Sequence, residues 1–489
     1  MSSARRLKRS LQVAVLAAVC PALFAGASAA APALAATGAH PVAVAGTWGN
    51  AKEVPGIEAL NHGRSMIDQI SCPSAGNCSA GGTYTDAGGT MQFFVVDETN
   101  GVWGSAEALP GSTVHNTNGL AFFDALSCAS AGYCSGAGDF EPTSGRQRAW
   151  VATETNGVWG SAITVPGLSR LETGDQAVVR GLSCTAPGDC SAGGFYTDSG
   201  GIFHPFVINE SNGTWHTAIN VPGISTLTPL NTGEIQVLSC DSPGSCSAGG
   251  SFQIRNRLSL FTVSEKAGKW QPAIKLPGID SLSKGAFPEF THMSCTSAGN
   301  CSAGGHYGNN DRAFVVTETG GTWAAARAVR GISITPQGFS DLDGLSCTSA
   351  GNCLAVGSYA AVIGQTQHAF AAFEKDGTWG SAKTIPGIAA LNTGPGLSLE
   401  GVSCGAPGDC STVGGYTDHQ NHIQAFVASE VNGRWVTVQE VPGSAALNTG
   451  GNAVVWAVSC DAAGNCGAGG SYTVGNAFGP QEAFVVNQS

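Results

Sequence analysis

Charged residues are scarce in this 489-residue sequence: Asp, Glu, Lys and Arg make up only 11% of it, and the formal net charge is -12. No basic run follows the first ten residues, which argues against nucleic acid and anionic membrane as partners. Long apolar runs are also missing after the N-terminal segment, and a membrane span needs ~20 such residues. We therefore expect no membrane insertion by the mature chain.

Catalytic and cofactor motifs are absent as well. No serine lies in a G-x-S-x-G motif and no phosphate-binding glycine loop occurs. The ten histidines follow no repeat. We therefore expect neither a cofactor nor a bound metal, and the sequence identifies no catalytic residue.

The N-terminus has the pattern of a secretory signal peptide. Basic residues between Arg5 and Arg9 precede an apolar run, Leu11–Val19, which Pro21 ends, and Ala33–Ala35 forms a suitable cleavage site. We interpret residues 1–35 as the signal peptide and residues 36–489 as one mature domain. This pattern predicts a secreted, extracellular protein.

Cysteine, by contrast, is plentiful and regular. Apart from Cys20, sixteen cysteines form eight pairs with five residues between the partners. An even set in an exported chain indicates disulfides, whereas zinc sites favour closer cysteines in clusters with histidine. We predict eight local disulfides: Cys72–Cys78, Cys128–Cys134, Cys184–Cys190, Cys240–Cys246, Cys295–Cys301, Cys347–Cys353, Cys404–Cys410 and Cys460–Cys466.

The cysteine pairs mark a repeat of 52–57 residues. Such a period is typical of propeller blades, solenoids or arrays. Each copy holds four short apolar segments bounded by Gly, Asn, Asp and Pro, which indicates strands and turns. In one copy the segments are Gly344–Cys347, Cys353–Tyr359, Ala369–Glu374 and Gly377–Pro386.

The two ends of the chain are staggered relative to this repeat. The eighth copy of the third segment, Ala483–Gln488, ends the sequence, and the eighth copy of the fourth segment, around Trp48, comes first in the mature chain. Pairing the two would complete an eighth four-stranded sheet and close a ring. An open solenoid would have no use for this stagger.

These features resemble a β-propeller closed by strand exchange, as in WD40-type propellers, over residues 40–489. The pattern S-C-x₅-C-x-A-x-G is similar to that of secreted bacterial repeat proteins, and Asp376–Trp379 is loosely similar to the hairpin turn of Asp-box propellers. The resemblance implies an all-β fold: an eight-bladed propeller with four antiparallel strands per blade and velcro closure. It places the first segment innermost, the disulfides on one face (the bottom) and the blade-to-blade connections on the other (the top).

One position varies where its surroundings are constant. The residue four before each first cysteine changes between copies, whereas the residue two further on is always apolar. In the implied propeller this variable residue faces the top entrance of the channel, so we name the set the mouth positions: Asp68, Asp124, Arg180, Gln236, Thr291, Asp343, Glu400 and Trp456. The candidate ligand-binding residues among them are Asp68, Asp124, Arg180, Asp343, Glu400 and Trp456.

Three functional hypotheses follow. The first is a monomeric, non-catalytic binding module for a glycan, a cell-envelope component or an extracellular protein. The second is a glycoside hydrolase or lyase that uses Asp68, Asp343 or Glu400, and the third is a structural envelope protein. The acids that end the third segments are interpreted as turn acceptors on the bottom face: Glu98, Glu154, Glu210, Glu265, Glu318, Glu374 and Glu430.

Overall fold

The computed structural model describes residues 46–117, 119–142, 145–255 and 257–489, so the predicted signal peptide lies outside the described residues. The described chain forms eight antiparallel sheets. Their inner strands contact one another in a closed cycle, because the first blade packs against both the second and the eighth. The predicted eight-bladed β-propeller is therefore confirmed. No helix among the described residues is long and apolar enough to cross a membrane.

Three strands of each blade pair in chain order. The inner strands, from blade 1 to blade 8, are Ser65–Ser74, Ala121–Ser130, Ala177–Ala186, Gly233–Ser242, Glu289–Ser297, Phe339–Ser349, Leu397–Ala406 and Ala453–Ala462. The second strands are Asn77–Thr85, Tyr133–Phe140, Asp189–Thr197, Ser245–Ile254, Asn300–Tyr307, Asn352–Ala360, Asp409–Thr417 and Asn465–Thr473. The third strands are Met91–Thr99, Arg148–Thr155, Phe203–Ser211, Arg257–Lys266, Arg312–Thr319, His368–Lys375, Ile423–Val431 and Gln481–Gln488.

The outer strand differs from the single segment expected. In blades 1–6 it is divided into two short strands, and both pair with the third strand of the same blade. The pieces are Val102–Trp103 and Glu107–Ala108, Val158–Trp159 and Ile163–Thr164, Thr214–Trp215 and Ile219–Asn220, Lys269–Trp270 and Ile274–Lys275, Thr322–Trp323 and Arg327–Ala328, and Thr378–Trp379 and Lys383–Thr384. Blade 7 keeps one strand, Arg434–Glu440. Single helical turns follow most outer strands, at Ile57–Ala59, Ser112–His115, Leu168–Leu171, Ile224–Leu227, Ile279–Ser283, Ile388–Leu391 and Ser444–Leu447.

The predicted velcro closure is confirmed in blade 8. The N-terminal strand Lys52–Glu53 pairs antiparallel with the C-terminal strand Gln481–Gln488, and Trp48 forms a further bridge to Gln488. Backbone hydrogen bonds join Thr47 and Ser489 in both directions, at 2.8 and 3.2 Å. The two ends of the described chain thus complete one sheet.

All eight predicted disulfides form within their own hairpins, with Cα–Cα distances of 3.9–4.0 Å. The five-residue loops bring the partner cysteines directly opposite each other in register, as in Cys184 and Cys190. At the other bottom turn, Asn100, Asn156, Asn212 and Asn432 adopt positive φ values of 50–54°. Asn tolerates this conformation better than most residues, which explains its repeated use there.

The serine before each first cysteine joins neighbouring blades. Its Oγ accepts a hydrogen bond from the backbone N–H of the next blade's first cysteine, as between Ser183 and Cys240 at 3.1 Å. The same bond recurs at 2.9–3.2 Å around the ring, and Ser459 closes the cycle onto Cys72. The S-C motif therefore supplies both the hairpin disulfide and an inter-blade bond.

We expect Ser183→Ala to lower the free energy of unfolding by about 1–2 kcal/mol, because the buried Cys240 N–H loses its acceptor. Ser161→Ala, at an exposed position on the outside of the ring, is the matched control and should change stability by less than about 0.5 kcal/mol. Urea unfolding monitored by tryptophan fluorescence measures both. Equal stability of the two variants would contradict the assigned role of the serine bond.

The final glycine of the repeat pattern is required by close backbone contact. A Cβ on Gly194 would lie 1.9 Å from the carbonyl oxygen of Val178, and the corresponding distance for Gly250 and Glu234 is also 1.9 Å. The contact arises because each inner strand carries a β-bulge opposite this glycine, for example between Val179 and Gly181. The bulge and the glycine opposite it therefore form one local structural feature.

The repeated glutamates are not turn acceptors, which corrects the sequence interpretation. All seven are buried, with 1–4% of their surface exposed, and several accept hydrogen bonds from the preceding blade. Glu210, for example, accepts from Ser135 at 3.2 Å and Thr153 at 2.6 Å, a cross-strand pair on blade 2. Gln488 takes the equivalent place in blade 8 and accepts from Ser411. These carboxylates join neighbouring blades and do not stabilise turns.

Two of these junctions lack the usual donors. Between blades 6 and 7 the expected polar pair is replaced by Leu354 and Phe373, and both carboxylate oxygens of Glu430 are buried without a hydrogen-bond partner among the described residues. Burial, with a smaller effect of Asp409, raises the pKa of Glu430 to about 7. Between blades 1 and 2, Glu154 faces the carboxyl group of Asp97, and burial together with Asp97 raises the pKa of Glu154 to about 8.

Candidate functional site

Every mouth position coincides with the bulge of its inner strand. In blade 1 the ladder pairs Ile67 with Gly82 and Gln69 with Gly81, so Asp68 has no residue opposite it. The same shift occurs in the other seven blades. Bulges redirect side chains and are common beside functional sites. The residue before the bulge is apolar in every blade, whereas the bulge residue itself varies.

The mouth positions lie deeper than the predicted strand entrance. Asp68 is the fourth residue of its strand, and the others are the third to fifth. At ~3.3 Å per residue they therefore sit ~7–13 Å from the top end of the strand. Asp124 is buried, whereas Asp343 and Glu400 are half-buried. The set therefore lies within the inner strands rather than at their top ends.

Two mouth side chains are fixed to the second strand of their own blade. Thr83 donates a hydrogen bond to Asp68 at 3.2 Å, and the indole N–H of Trp456 donates to Ser471 at 2.9 Å. The indole ring is thereby held in a defined orientation on the channel wall. A fixed aromatic ring costs little conformational entropy when a ligand packs on it.

Arg180 is the basic residue among the mouth positions. Its guanidinium carbon lies 5.7 Å from the centre of the Phe195 ring. Burial lowers the pKa of Arg180, but the carboxylates of Asp124 and Glu234, with two further acids, outweigh it and raise that pKa. Asp124, another mouth position, is therefore among the acids that act on Arg180, and Glu234 is an acid that the sequence analysis did not single out.

Glu234 and a further acid that acts on Arg180, Glu289, lie two residues before the bulge of their strands, at a set of positions that we call the second tier. Glu234, Glu289 and Asp341 occupy this tier in blades 4–6, whereas blades 1–3 and 8 carry the apolar residues Met66, Phe122, Val178 and Val454. Glu234 accepts from the mouth residue Gln236 at 2.8 Å. The second-tier residues lie six positions before each first cysteine. A comparison of that position among the eight repeats would reveal the acids of blades 4–6 from the sequence alone.

A histidine with several carboxylates lies beside this tier. His306 Nε2 is 3.5 Å from Glu289 and 3.8 Å from Asp311, and Nδ1 is 3.8 Å from Asp341. Burial lowers the pKa of His306, but the three carboxylates outweigh it and raise that pKa to about 9. No repeat pattern marks His306, so this cluster is not predictable from the sequence.

Chemically, the mouth offers both hydrogen-bond donors and acceptors. Arg180 presents guanidinium donors, the two tiers present carboxylate acceptors, and Trp456 and Phe122 add apolar surface on blades 8 and 2. The second tier is acidic in blades 4–6 and apolar in blades 8 and 1–3, so the mouth has two chemically different sides. Such a surface suits a ligand with both polar and apolar faces.

The sequence matches no protein-family model, and no curated sequence is significantly similar to it. Among solved structures, Sqt1 of Chaetomium thermophilum bound to the N-terminus of ribosomal protein L10 covers 88% of this chain and 98% of its own, at 10% identity and a TM-score of 0.49. The Penicillium chrysogenum alpha-L-arabinanase complexed with arabinobiose covers 90% of this chain and 98% of its own, at 8% identity and a TM-score of 0.39. The fucose-specific lectin of Aleuria aurantia covers 65% of this chain and 95% of its own, at 11% identity and a TM-score of 0.31. Similarity at this level carries no information about ligand or activity.

Proposed function

We propose that this protein is a secreted, non-catalytic binding module whose ligand site is the channel mouth and whose ligand is a glycan. The observation that carries the proposal is that the residue at the bulge varies while the framework of each inner strand is kept. Eight inner strands share the serine, the cysteine and the opposing glycine, yet differ at the mouth positions. Framework residues are held for stability, and the one redirected position is free to serve binding.

Glycan chemistry fits the groups on the channel wall. Sugar hydroxyls donate to carboxylates such as Asp68 and Glu234 and accept from a guanidinium such as that of Arg180, so one neutral ligand satisfies both. The apolar C–H face of a sugar packs on an aromatic ring, and the ring of Trp456 is fixed by its bond to Ser471. A strongly anionic ligand would meet the surrounding acids, which makes it a poorer fit.

We expect Asp68→Asn and Trp456→Ala each to weaken binding to a glycan identified on a glycan array by at least ~10-fold, since a buried contact of this kind is worth over ~1.4 kcal/mol. Isothermal titration with the purified protein measures the affinity, and circular dichroism checks folding. Asp376→Asn is the matched control, because it lies in a bottom-face turn where four other blades carry Asn.

The outcomes separate the hypotheses. Loss of affinity in the mouth variants with full affinity in Asp376→Asn supports the proposal. Full affinity in both mouth variants would place the ligand elsewhere. Release of reducing sugar, abolished by Asp343→Asn or Glu400→Gln, would replace binding with glycoside hydrolysis, and no binding to any glycan would favour a protein ligand or a structural role.

A further inference from the structure

Four ligand-type side chains converge at the top of blades 5 and 6. Glu289 begins the inner strand of blade 5 and pairs in register with His306 on the second strand. Asp311 lies in the top loop that follows, and Asp341 is on the inner strand of blade 6. Donor atoms of His306, Asp311 and Asp341 all lie within 4.8 Å of one another. Three separate segments from two blades therefore meet at one point.

The spacing of these atoms is longer than that of hydrogen-bonded ion pairs. The three contacts of His306 with carboxylates measure 3.5, 3.8 and 3.8 Å, whereas charge-assisted N–H···O bonds are ~2.7–2.9 Å long. Donors bound ~2.0–2.2 Å from one tetrahedral ion are ~3.3–3.6 Å apart, and donors on opposite sides of an octahedral ion are ~4.0–4.4 Å apart. One ion can bind only one ring nitrogen, so the relevant separations are the two from Nε2, 3.5 Å to Glu289 and 3.8 Å to Asp311, and these are close to the spacing of donors around a shared cation.

A second histidine on the same face behaves differently and serves as an internal comparison. His204 Nε2 lies 3.1 Å from Asp198, at normal hydrogen-bond distance. Asp198 is meanwhile occupied by the backbone N–H groups of Gly200 and Ile202, at 2.8 and 3.0 Å. A single carboxylate engaged by its own turn cannot form a multidentate site. The arrangement around His306 is thus not a general property of top-face histidines.

Access and chemistry also favour an ion at this point. The side chains of Glu289 and Asp311 are 48% and 38% exposed, so an ion can reach them from solvent. One imidazole with two or three carboxylates suits Zn²⁺ or Mn²⁺, whereas Ca²⁺ and Mg²⁺ prefer oxygen ligands alone. Thiols do not compete, because all sixteen cysteines of the described chain are in disulfides.

We propose that His306, Asp311 and Asp341 bind one divalent transition-metal ion at the top of blades 5 and 6, with Glu289 as a further carboxylate ligand. The site joins the second strand and top loop of blade 5 to the inner strand of blade 6. It departs from the sequence expectation of no metal, because the repeat alignment gives no reason to place these residues together. It stands independently of the glycan proposal.

The test uses full-length mature protein without a histidine tag, stripped with EDTA and desalted. Isothermal titration with ZnCl₂ and MnCl₂ should show one ion bound per chain, and CaCl₂ should bind at least ~10-fold more weakly. His306→Gln and Asp341→Asn should each weaken Zn²⁺ binding by at least ~10-fold, because each removes a ligand. His204→Gln is the matched control and should bind Zn²⁺ as the unmodified protein does.

Circular dichroism and thermal unfolding without metal show whether each variant folds. If His306→Gln fails to fold, Asp311→Asn takes its place, since Asp311 lies in a loop. The absence of stoichiometric Zn²⁺ or Mn²⁺ binding by the unmodified protein would overturn the proposal. Unchanged Zn²⁺ binding in folded His306→Gln and Asp341→Asn, or its loss in His204→Gln, would overturn it as well.

Discussion

Deleting Ala483–Ser489 is expected to abolish the soluble monomeric protein. The deletion removes most of the third strand of blade 8, and with it the partner of the N-terminal strand Lys52–Glu53. It also exposes the edge of the second strand Asn465–Thr473, which pairs with that segment. Unpaired edges are templates for aggregation. Size-exclusion chromatography of the expressed protein measures the loss.

A circular permutant is the matched control for this deletion. Thr47 and Ser489 are hydrogen-bonded to each other, so a short linker between them would convert the closure into an ordinary covalent connection. New ends between Ile363 and Gly364 would fall in an exposed top loop of blade 6, where cuts are tolerated best. We expect this permutant to remain soluble and folded. A soluble, folded deletion variant would contradict the role of the closure.

Stability is expected to fall as the pH rises from about 5 to 8, and the raised pKa values of Glu430 and Glu154 contribute to this fall. Burial raises the pKa of Glu430 from 4.5 to about 7, and burial with Asp97 raises that of Glu154 to about 8. A raised pKa means that the folded state binds the proton more tightly than the unfolded state. The stabilisation is therefore complete below pH 4.5 and is lost as the pH passes through these raised values.

The loss from Glu430 alone is on the order of 2–3 kcal/mol, since each pKa unit corresponds to about 1.4 kcal/mol. Glu430→Gln removes the ionisable group, so this variant should be more stable than the unmodified protein at pH 8 and should lose stability less steeply between pH 5 and 8. Urea unfolding at both pH values measures the difference.

Glu374→Gln is the matched control at a normal junction. Burial also raises the pKa of Glu374, but hydrogen bonds from Ser302, at 2.6 Å, and from Thr317 lower it. Glu430 accepts no such bonds among the described residues, so Glu430→Gln should raise stability at pH 8 by more than Glu374→Gln does. An equal change in stability from both variants would show that the junction between blades 6 and 7 is not special.

The architecture is predictable from the sequence alone, because the information is local and repeated eight times. The spacing within Cys184–Cys190 fixes a hairpin, the Asn-Gly turns fix the next one, and the stagger of Trp48 against Ala483–Gln488 fixes the closure. Each inference needed only neighbouring residues and their period. The variable mouth positions were also visible, although their depth in the channel was not.

Contacts between blades depend on the tertiary structure. The partners of the repeated glutamates are not predictable from a local pattern, because their donors, such as Ser135 for Glu210, lie 75 residues away in the sequence. The bulge that redirects Asp68 follows from the ladder register, which a single strand does not reveal. His306 and Asp341 meet because two blades pack side by side. Contacts between distant segments depend on how the ring closes, and no local pattern encodes them.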